Sequence, residues 1–378
     1  MPTSSIAILG AGMVGRAIAL DLAAKHQVCS FDISTENLQL LSNRNSNIKT
    51  ICADLSDTAS YAEWLAPYDL VVTAVPGFMG FETLKAVIEC GKNIVDISFF
   101  PEDAMQLDAL AEKNGVTVIT DCGVAPGMSN FIIGRYNELM KIDCFECYVG
   151  GLPQLRQPPF EYKAPFSPID VIEEYTRPAR LVEEGQMVTR PALSEREIID
   201  FSEIDPIVGK LEAFNTDGLR SLVHTMGHIP NLKEKTLRYP GHIELIETMK
   251  KIGLFSETPV KVKGQEIRPI DFSTAMLLND WKLGEDEPEL TIMKVTVKGS
   301  GRSVTYSMID RYDPVTRISS MSRTTGYTCT AAVELIIQGL FDKKGIFPPE
   351  LVGSDEACFN FVLQYLKDRN VNWQKKEN

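Results

Sequence analysis

Histidine is scarce in this sequence. There are four in 378 residues, at 26, 224, 228 and 242, and none falls in an HExxH or comparable ligand pattern. No metal is therefore expected. No run of about 18 or more apolar residues occurs, so no transmembrane helix is expected. Positive charge is also short: 38 Lys and Arg face 51 Asp and Glu, a net charge of −13. That balance argues against nucleic acid and anionic membranes as partners. Internal repeats and low-complexity tracts are missing. The eight cysteines are scattered among apolar neighbours, as free thiols of a reducing compartment would be. Cys144-Phe-Glu-Cys147 has no companion pair, and on a strand its two thiols point to opposite faces. The chain enters a strand within its first residues, leaving no room for a signal peptide, so a cytoplasmic location is expected.

What is present is ordinary globular material, 44% hydrophobic and 24% charged, long enough for two domains. Residues 6–9 are apolar and read as a buried parallel strand. Gly10-Ala-Gly12-Met13-Val14-Gly15 follows at once and opens a helix over 16–24. Gly10 permits the turn, Gly12 lets backbone approach phosphate, and Gly15 lets helix pack close to strand. A pyrophosphate would sit on the free N–H groups of that helix. A second strand, 28–31, ends in Asp32, about twenty residues on, where an acid accepts from ribose hydroxyls. Asp32 would repel a 2′-phosphate, and no Arg or Lys follows in Ile33-Ser34-Thr35. NAD is expected rather than NADP.

Strand and helix patterns alternate through residue 120, with further strands at 48–52, 69–74, 93–97 and 116–120. The reading is an α/β fold: a doubly wound parallel Rossmann sheet of order 3-2-1-4-5-6, with ligands beyond the carboxyl ends of the strands. Those ends supply Asp54, Val75, Pro76 and Ser98 as further cofactor contacts. Beyond Asp121 the texture changes. Ser129 or Asn130 is placed to cap a helix through 138. Strand patterns at 292–298 and 303–309, joined by Gly299-Ser-Gly301, predict a hairpin in a second α+β domain with a mainly antiparallel sheet. Helices over 324–340 and 354–369 close the chain, and the tail 374–378 reads as frayed. The expected division is 1–122, 123–325 and 326–378, the last returning to the Rossmann domain.

The second domain carries many Arg residues in turn-like contexts, among them Arg177, Arg220, Arg238 and Arg323. A guanidinium fork suits a carboxylate, although surface ion pairs are the common alternative. Arg238 is pinned by Pro240-Gly241 after an apolar Leu, which favours a ligand role.

Several longer runs carry a resemblance to a known family. They are Ala74-Val-Pro-Gly-Phe78, Val95-Asp-Ile-Ser-Phe99, Ala125-Pro-Gly-Met-Ser-Asn130 and Tyr148-Val-Gly-Gly-Leu-Pro153. To these add Glu173-Glu-Tyr-Thr-Arg-Pro-Ala-Arg180, Asp217-Gly-Leu-Arg-Ser221, Thr236-Leu-Arg-Tyr-Pro-Gly-His242 and Ser320-Met-Ser-Arg-Thr-Thr-Gly326. Over nearly its whole length the chain resembles the saccharopine dehydrogenase-like family. The compact second domain is nearer the lysine-oxidising members than a full saccharopine reductase. The resemblance implies NAD-dependent oxidative deamination at the ε-carbon of lysine and a homodimer or higher homo-oligomer. Saccharopine or carboxynorspermidine-type substrates stay open, as does a non-catalytic NAD-binding sensor.

Lysine oxidation needs a deprotonated ε-amine, hydride loss from C6, and hydrolysis of the imine to 2-aminoadipate 6-semialdehyde and ammonia. Asp96, Asp121 and Cys122 lie near the nicotinamide end of the sheet and are candidates for the catalytic base or nucleophile. Either carboxylate could instead cap loop amides. Tyr162, Lys163, Glu174, Arg238, His242 and Thr325 are expected over the cleft from the second domain.

Overall fold

The computed structural model describes residues 3–166 and 168–377. Ser167 of the Pro-rich stretch and the terminal Asn378 lie outside the described residues. The N-terminal half builds a parallel sheet from β1 (Ser5–Leu9), β2 (Gln27–Asp32), β3 (Lys49–Cys52), β4 (Leu70–Thr73), β5 (Asn93–Asp96) and β6 (Thr117–Ile119). Helix α1 (Met13–Leu22) follows β1 directly. Ile6, Ala7, Ile8 and Leu9 are wholly buried because the sheet is covered on both faces. The period of two then sorts them: Ile6 and Ile8 pack with Ile18 and Val72, while Ala7 and Leu9 pack with Phe31, Val71 and Leu84.

The strand order 3-2-1-4-5-6 is found, extended by one strand. Gly345–Phe347 lies parallel beside β6, with Ile346 opposite Val118. At three residues, between charged residues and two prolines, it carries no alternation by which to recognise it.

The second sheet runs Glu197–Asp200, Lys210–Asn215, Asn231–Arg238, Cys144–Pro153, Glu289–Gly299, Arg302–Arg311 and Gln374–Glu377, with Ala179–Glu183 and Gln186–Arg190 attached to one side. Its pairings are antiparallel except between Asn231–Arg238 and Cys144–Pro153, which run parallel. The expected hairpin is present as Glu289–Gly299 and Arg302–Arg311. Ser300 and Gly301 both have positive φ, the two-residue turn that matches strand twist. The described part of the tail is not frayed: Gln374–Glu377 pairs with Arg302–Arg311 as an edge strand.

Helix Met128–Leu139 starts from Gly127 at φ +136°, not from Ser129 or Asn130. Asn130 instead lies inside the first turn, and its Oδ1 accepts from the Gly127 N–H at 3.2 Å. Helix Ser320–Ile337 crosses α1 where Gly326 faces Ile18; a Cβ at Gly326 would stand 3.3 Å from the Ile18 side chain. Asp21 of α1 accepts from Thr330 at 2.6 Å, Tyr365 at 2.8 Å and Arg369 at 2.7 Å, tying the C-terminal helices to the Rossmann sheet. Among the described residues no helix is long and apolar enough to cross a membrane, and no group of three His, Cys, Asp or Glu is disposed to hold a metal.

Candidate active site

A cleft of about 1360 Å³ runs along the carboxyl ends of the parallel strands and is closed from the other side by the second sheet and its helices. Gly10, Gly12, Met13, Val14, Gly15, Asp32, Asp54, Val75, Pro76 and Ser98 all line it. Gly10 sits at φ +112°, and a Cβ there would fall 2.3 Å from the Ala74 carbonyl oxygen. A Cβ at Gly15 would fall 2.1 Å from the Gly10 carbonyl oxygen. Gly12 differs: beyond its own chain neighbours nothing lies within 4 Å of where its Cβ would be, so the loop leaves open room beside the uncapped N-terminus of α1. That is the space a pyrophosphate needs, and a side chain there would fill it. The residues present therefore fit a dinucleotide.

Asp32 is held ready for a diol. Its Oδ2 accepts from the Ala11 N–H at 2.6 Å and its Oδ1 from the Ser34 N–H at 2.7 Å. Both oxygens retain acceptor capacity. Beside it, Arg16 donates to the Ala11 carbonyl at 3.1 Å and pairs with Glu285 of the opposite lobe at 2.5 Å.

The other half of the cleft is acidic. Asp121, Asp170, Glu173, Glu174, Asp217 and Glu234 line it, against Arg177, Arg238 and Lys282. Arg238 is buried with its donors engaged: Nη2 to Glu174 at 2.7 Å, Nε to the Tyr175 hydroxyl at 3.1 Å, Nη1 to the Leu237 carbonyl at 3.0 Å. Burial raises the Glu174 carboxyl, and Arg238 opposes that rise. Arg177 is less committed. It contacts Glu173 through Nη2 and lies 5.3 Å over the Phe99 ring, while its buried Nη1 has no partner. Thr325 also lines the cleft.

Seven of the candidate residues do not line it. Asp96 is wholly buried beneath Ser98, where it accepts from Thr73 Oγ1 at 2.6 Å and the Ser98 N–H at 3.2 Å; burial raises its carboxyl to about 7. Cys122 lies in the core, its thiol pushed up by burial and turned away from the cleft lining, where a nucleophile would have to be. Arg220 is bound to Asp121 at 2.8 Å. Arg323 is bound to Asp310 and Asp313 at 3.1 Å each. Lys163 donates to the Asp280 carbonyl at 2.6 Å. His242 is buried between the Tyr175 hydroxyl at 3.0 Å and the Phe160 carbonyl at 2.9 Å, and desolvation, then Arg238, lowers it to about 3. Tyr162 packs behind Arg238, 4.3 Å from its guanidinium. These residues build or brace the site and do not face it.

Glu234, Thr216, Thr236 and Glu173 were not singled out from the sequence. Glu234, Thr236 and Arg238 share one face of a strand and all line the cleft. Period two, carried back from Arg238, points to Glu234.

Two family models tile the chain. The saccharopine dehydrogenase NADP binding domain matches residues 6–119, and the saccharopine dehydrogenase C-terminal domain matches residues 123–371. A saccharopine dehydrogenase [NADP(+), L-glutamate-forming] of Pyricularia oryzae is 27% identical over 270 residues; the match spans 68% of this chain but only 59% of that enzyme. A carboxyaminopropylagmatine dehydrogenase of Synechocystis sp. is 22% identical over 99% of this chain and 98% of its own. The apo saccharopine dehydrogenase (L-Glu forming) of Saccharomyces cerevisiae superposes with a TM-score of 0.78 at 19% identity, covering 99% of this chain and 100% of that one, which establishes a shared fold.

Proposed function

The chain belongs to the saccharopine dehydrogenase family, and from that premise we propose that it is an NAD-dependent dehydrogenase oxidising the ε-amine of L-lysine to 2-aminoadipate 6-semialdehyde and ammonia. The observation that carries the reading is how few guanidinium edges the substrate half leaves open: Arg238 is closed on Glu174, while Arg177 keeps a buried Nη1 without a partner. Lysine brings two ammonium groups and one carboxylate. Saccharopine brings three carboxylates and needs further forks, yet Arg220 and Arg180 are already spent on Asp121 and Asp217. A larger cationic amine with one carboxylate, of the kind named for the Synechocystis relative, suits the same acidic wall and is the second reading.

The roles follow from the side chains. Gly10, Gly12 and Gly15, with Met13 and Val14, would hold the pyrophosphate, and Asp32 the adenine ribose. Val75, Pro76 and Ser98 border the nicotinamide half. When bound, NAD would accept the hydride from C6. Arg177 would receive the α-carboxylate on its unpartnered Nη1, with Glu173 beside it for the α-ammonium. Although the matched model and the Pyricularia enzyme carry NADP in their names, Asp32 and Glu36 make this chain's adenosine end anionic and Glu285 offsets Arg16 there, which supports NAD. The density of polar groups aimed at a second ligand disfavours a mere NAD sensor.

The test is NADH or NADPH formation with lysine, saccharopine and carboxynorspermidine, each with both cofactors. Turnover of lysine with NAD is expected. A preference for saccharopine, or for NADP, would overturn the corresponding part of the reading.

A further inference from the structure

We propose that Glu234 is the proton acceptor for the substrate amine, an inference that rests on the amine-oxidising reading above. Glu234 sits on the strand Asn231–Arg238, pointing with Thr236 and Arg238 to the cleft, and is only 5% exposed. Among the described residues no cationic side chain pairs with it. Its Oε2 accepts from Thr216 Oγ1 at 2.9 Å, and Thr216 in turn lies 2.9 Å from Thr236 Oγ1. The Gly218 backbone packs so close that a Cβ at Gly218 would fall 2.0 Å from Oε2, so glycine is what lets the carboxylate occupy this place.

The surroundings keep it apart from every neighbouring cation. On its own strand, Lys233 and Lys235 point the other way and bind Glu146 and Glu197. Across the sheet, the Cys147 thiol faces it and is un-ionised, pushed up by burial. From the loop after Lys210–Asn215, Asp217 faces it, bound to Arg180. From helix Pro168–Thr176, Glu174 faces it, bound to Arg238. Burial first, then the charges of Glu174 and Asp217, raise its carboxyl to about 8, against the lowering from Thr216 and Gly218. A carboxylate of that basicity can take a proton that an ordinary one could not.

The step balances simply. The ε-ammonium N–H bond breaks and its proton joins the Glu234 carboxylate, leaving a neutral amine. The nitrogen lone pair then forms the C=N bond as C6 loses hydride to NAD, the co-substrate. Water adds to the iminium and ammonium leaves, and the Glu234 proton passes to solvent. Asp121, Asp217, Glu174 and Glu173, which also line this half, are each paired with an arginine, and among the described residues Glu234 is not.

The test uses the intact chain and whichever amine the wild type oxidises, so failure of lysine as substrate leaves it intact. Amine binding to the NADH-loaded chain is followed by calorimetry at pH 7 in buffers of different ionisation enthalpy. The wild type should release about one proton, because the incoming ammonium expels it from a carboxyl titrating near 8. Glu234→Gln should still bind NADH, release none, and lose roughly 10²- to 10⁴-fold in kcat. In the wild type kcat/KM should rise through pH 8 and level off. Thr216→Val removes a donor to the carboxylate and should move that limb to higher pH. Proton release retained in Glu234→Gln, kcat within threefold of wild type, or a limb unmoved by Thr216→Val overturns the assignment. A chain that oxidises none of the amines overturns the amine-oxidising reading and this inference with it.

Discussion

Asp121 and Arg220 form a buried ion pair at the end of β6, with Asp121 Oδ1 receiving Nε at 2.9 Å and Nη2 at 2.8 Å. Arg220 also donates to the Phe100 carbonyl and lies 4.8 and 5.1 Å over the Phe99 and Phe100 rings. Both residues of the pair have positive φ. The pair joins the floor of the nucleotide sheet to the loop that carries Thr216, Asp217 and Gly218, so it sets how the two walls of the cleft face each other.

Arg220→Met should therefore act on stability first. It leaves the Asp121 carboxylate buried without its cation, a loss of about 3–5 kcal/mol. Adding Asp121→Asn should recover much of that loss, because the uncompensated charge is gone. Urea unfolding of the single and double variants checks this. A single variant less than about 1 kcal/mol weaker than wild type would show the pair to be wet and dispensable.

Asp32→Ala should weaken NAD by about tenfold, since two ribose hydroxyls lose a charged acceptor, while NADP is weakened less or not at all. The Ala11 and Ser34 N–H groups lose their shared acceptor as well, so both cofactors should be measured by NAD(P)H fluorescence in the same variant. An unchanged ratio of the two dissociation constants removes Asp32 from the ribose site.

Arg177→Met should raise KM for lysine by roughly ten- to a hundred-fold, about 1.5–3 kcal/mol, with NAD affinity intact. Arg238→Met should differ, because its donors already serve Glu174, Tyr175 and Leu237. Its effect should appear chiefly as lost stability from the unpaired Glu174. A reversed pattern, with KM answering to Arg238 alone, would return the carboxylate to Arg238.

The nucleotide half of the site was legible because its chemistry is local. Gly10, Gly12, Gly15 and Asp32 line the cleft from one turn and one strand end, and spacing along the chain reports both. The substrate half was not legible in the same way. Arg220 and Arg323 read as carboxylate forks, and they are, but the carboxylates are Asp121 and Asp310 from distant segments. A guanidinium's partner is settled by tertiary packing, which no spacing within its own loop records. His242 sat in a plausible turn yet faces inward to Tyr175 and Phe160. Gly345–Phe347 was missed because an edge strand of three residues has too few positions to show alternation.

His242 gives a pH prediction. Its folded value is lowered to about 3 by burial and then by Arg238, against roughly 6.5 when unfolded. Between those values the unfolded chain binds one more proton than the native one, so stability falls as pH drops from about 6.5 toward 3. His242→Asn loses packing at all pH values but lacks this proton. The stability advantage of wild type over the variant should shrink by about 1.4 kcal/mol per pH unit through that window. Parallel stability curves from pH 7 to 5 would mean that His242 titrates alike in both states.

The contact between Arg16 and Glu285 yields the last prediction. Arg16 projects from α1 beside Asp32, and Glu285 reaches it from the opposite lobe at 2.5 Å, with the Glu285 side chain half exposed. Both line the cleft, and at the end proposed for the adenosine Glu285 would neutralise the arginine that could meet a 2′-phosphate. Glu285→Gln removes one anion and frees one guanidinium edge while leaving Asp32 in place. NADP should then bind about three- to tenfold more tightly, with NAD changed less than about twofold, since a partly exposed pair contributes only ~1 kcal/mol. Combined with Asp32→Ala, the two changes act on adjacent groups facing the same phosphate position. Their effects on NADP affinity should therefore exceed the sum of the singles, the sign of coupling expected for neighbours. Strict additivity would mean that Arg16 never reaches the 2′ position and that Asp32 alone sets the preference.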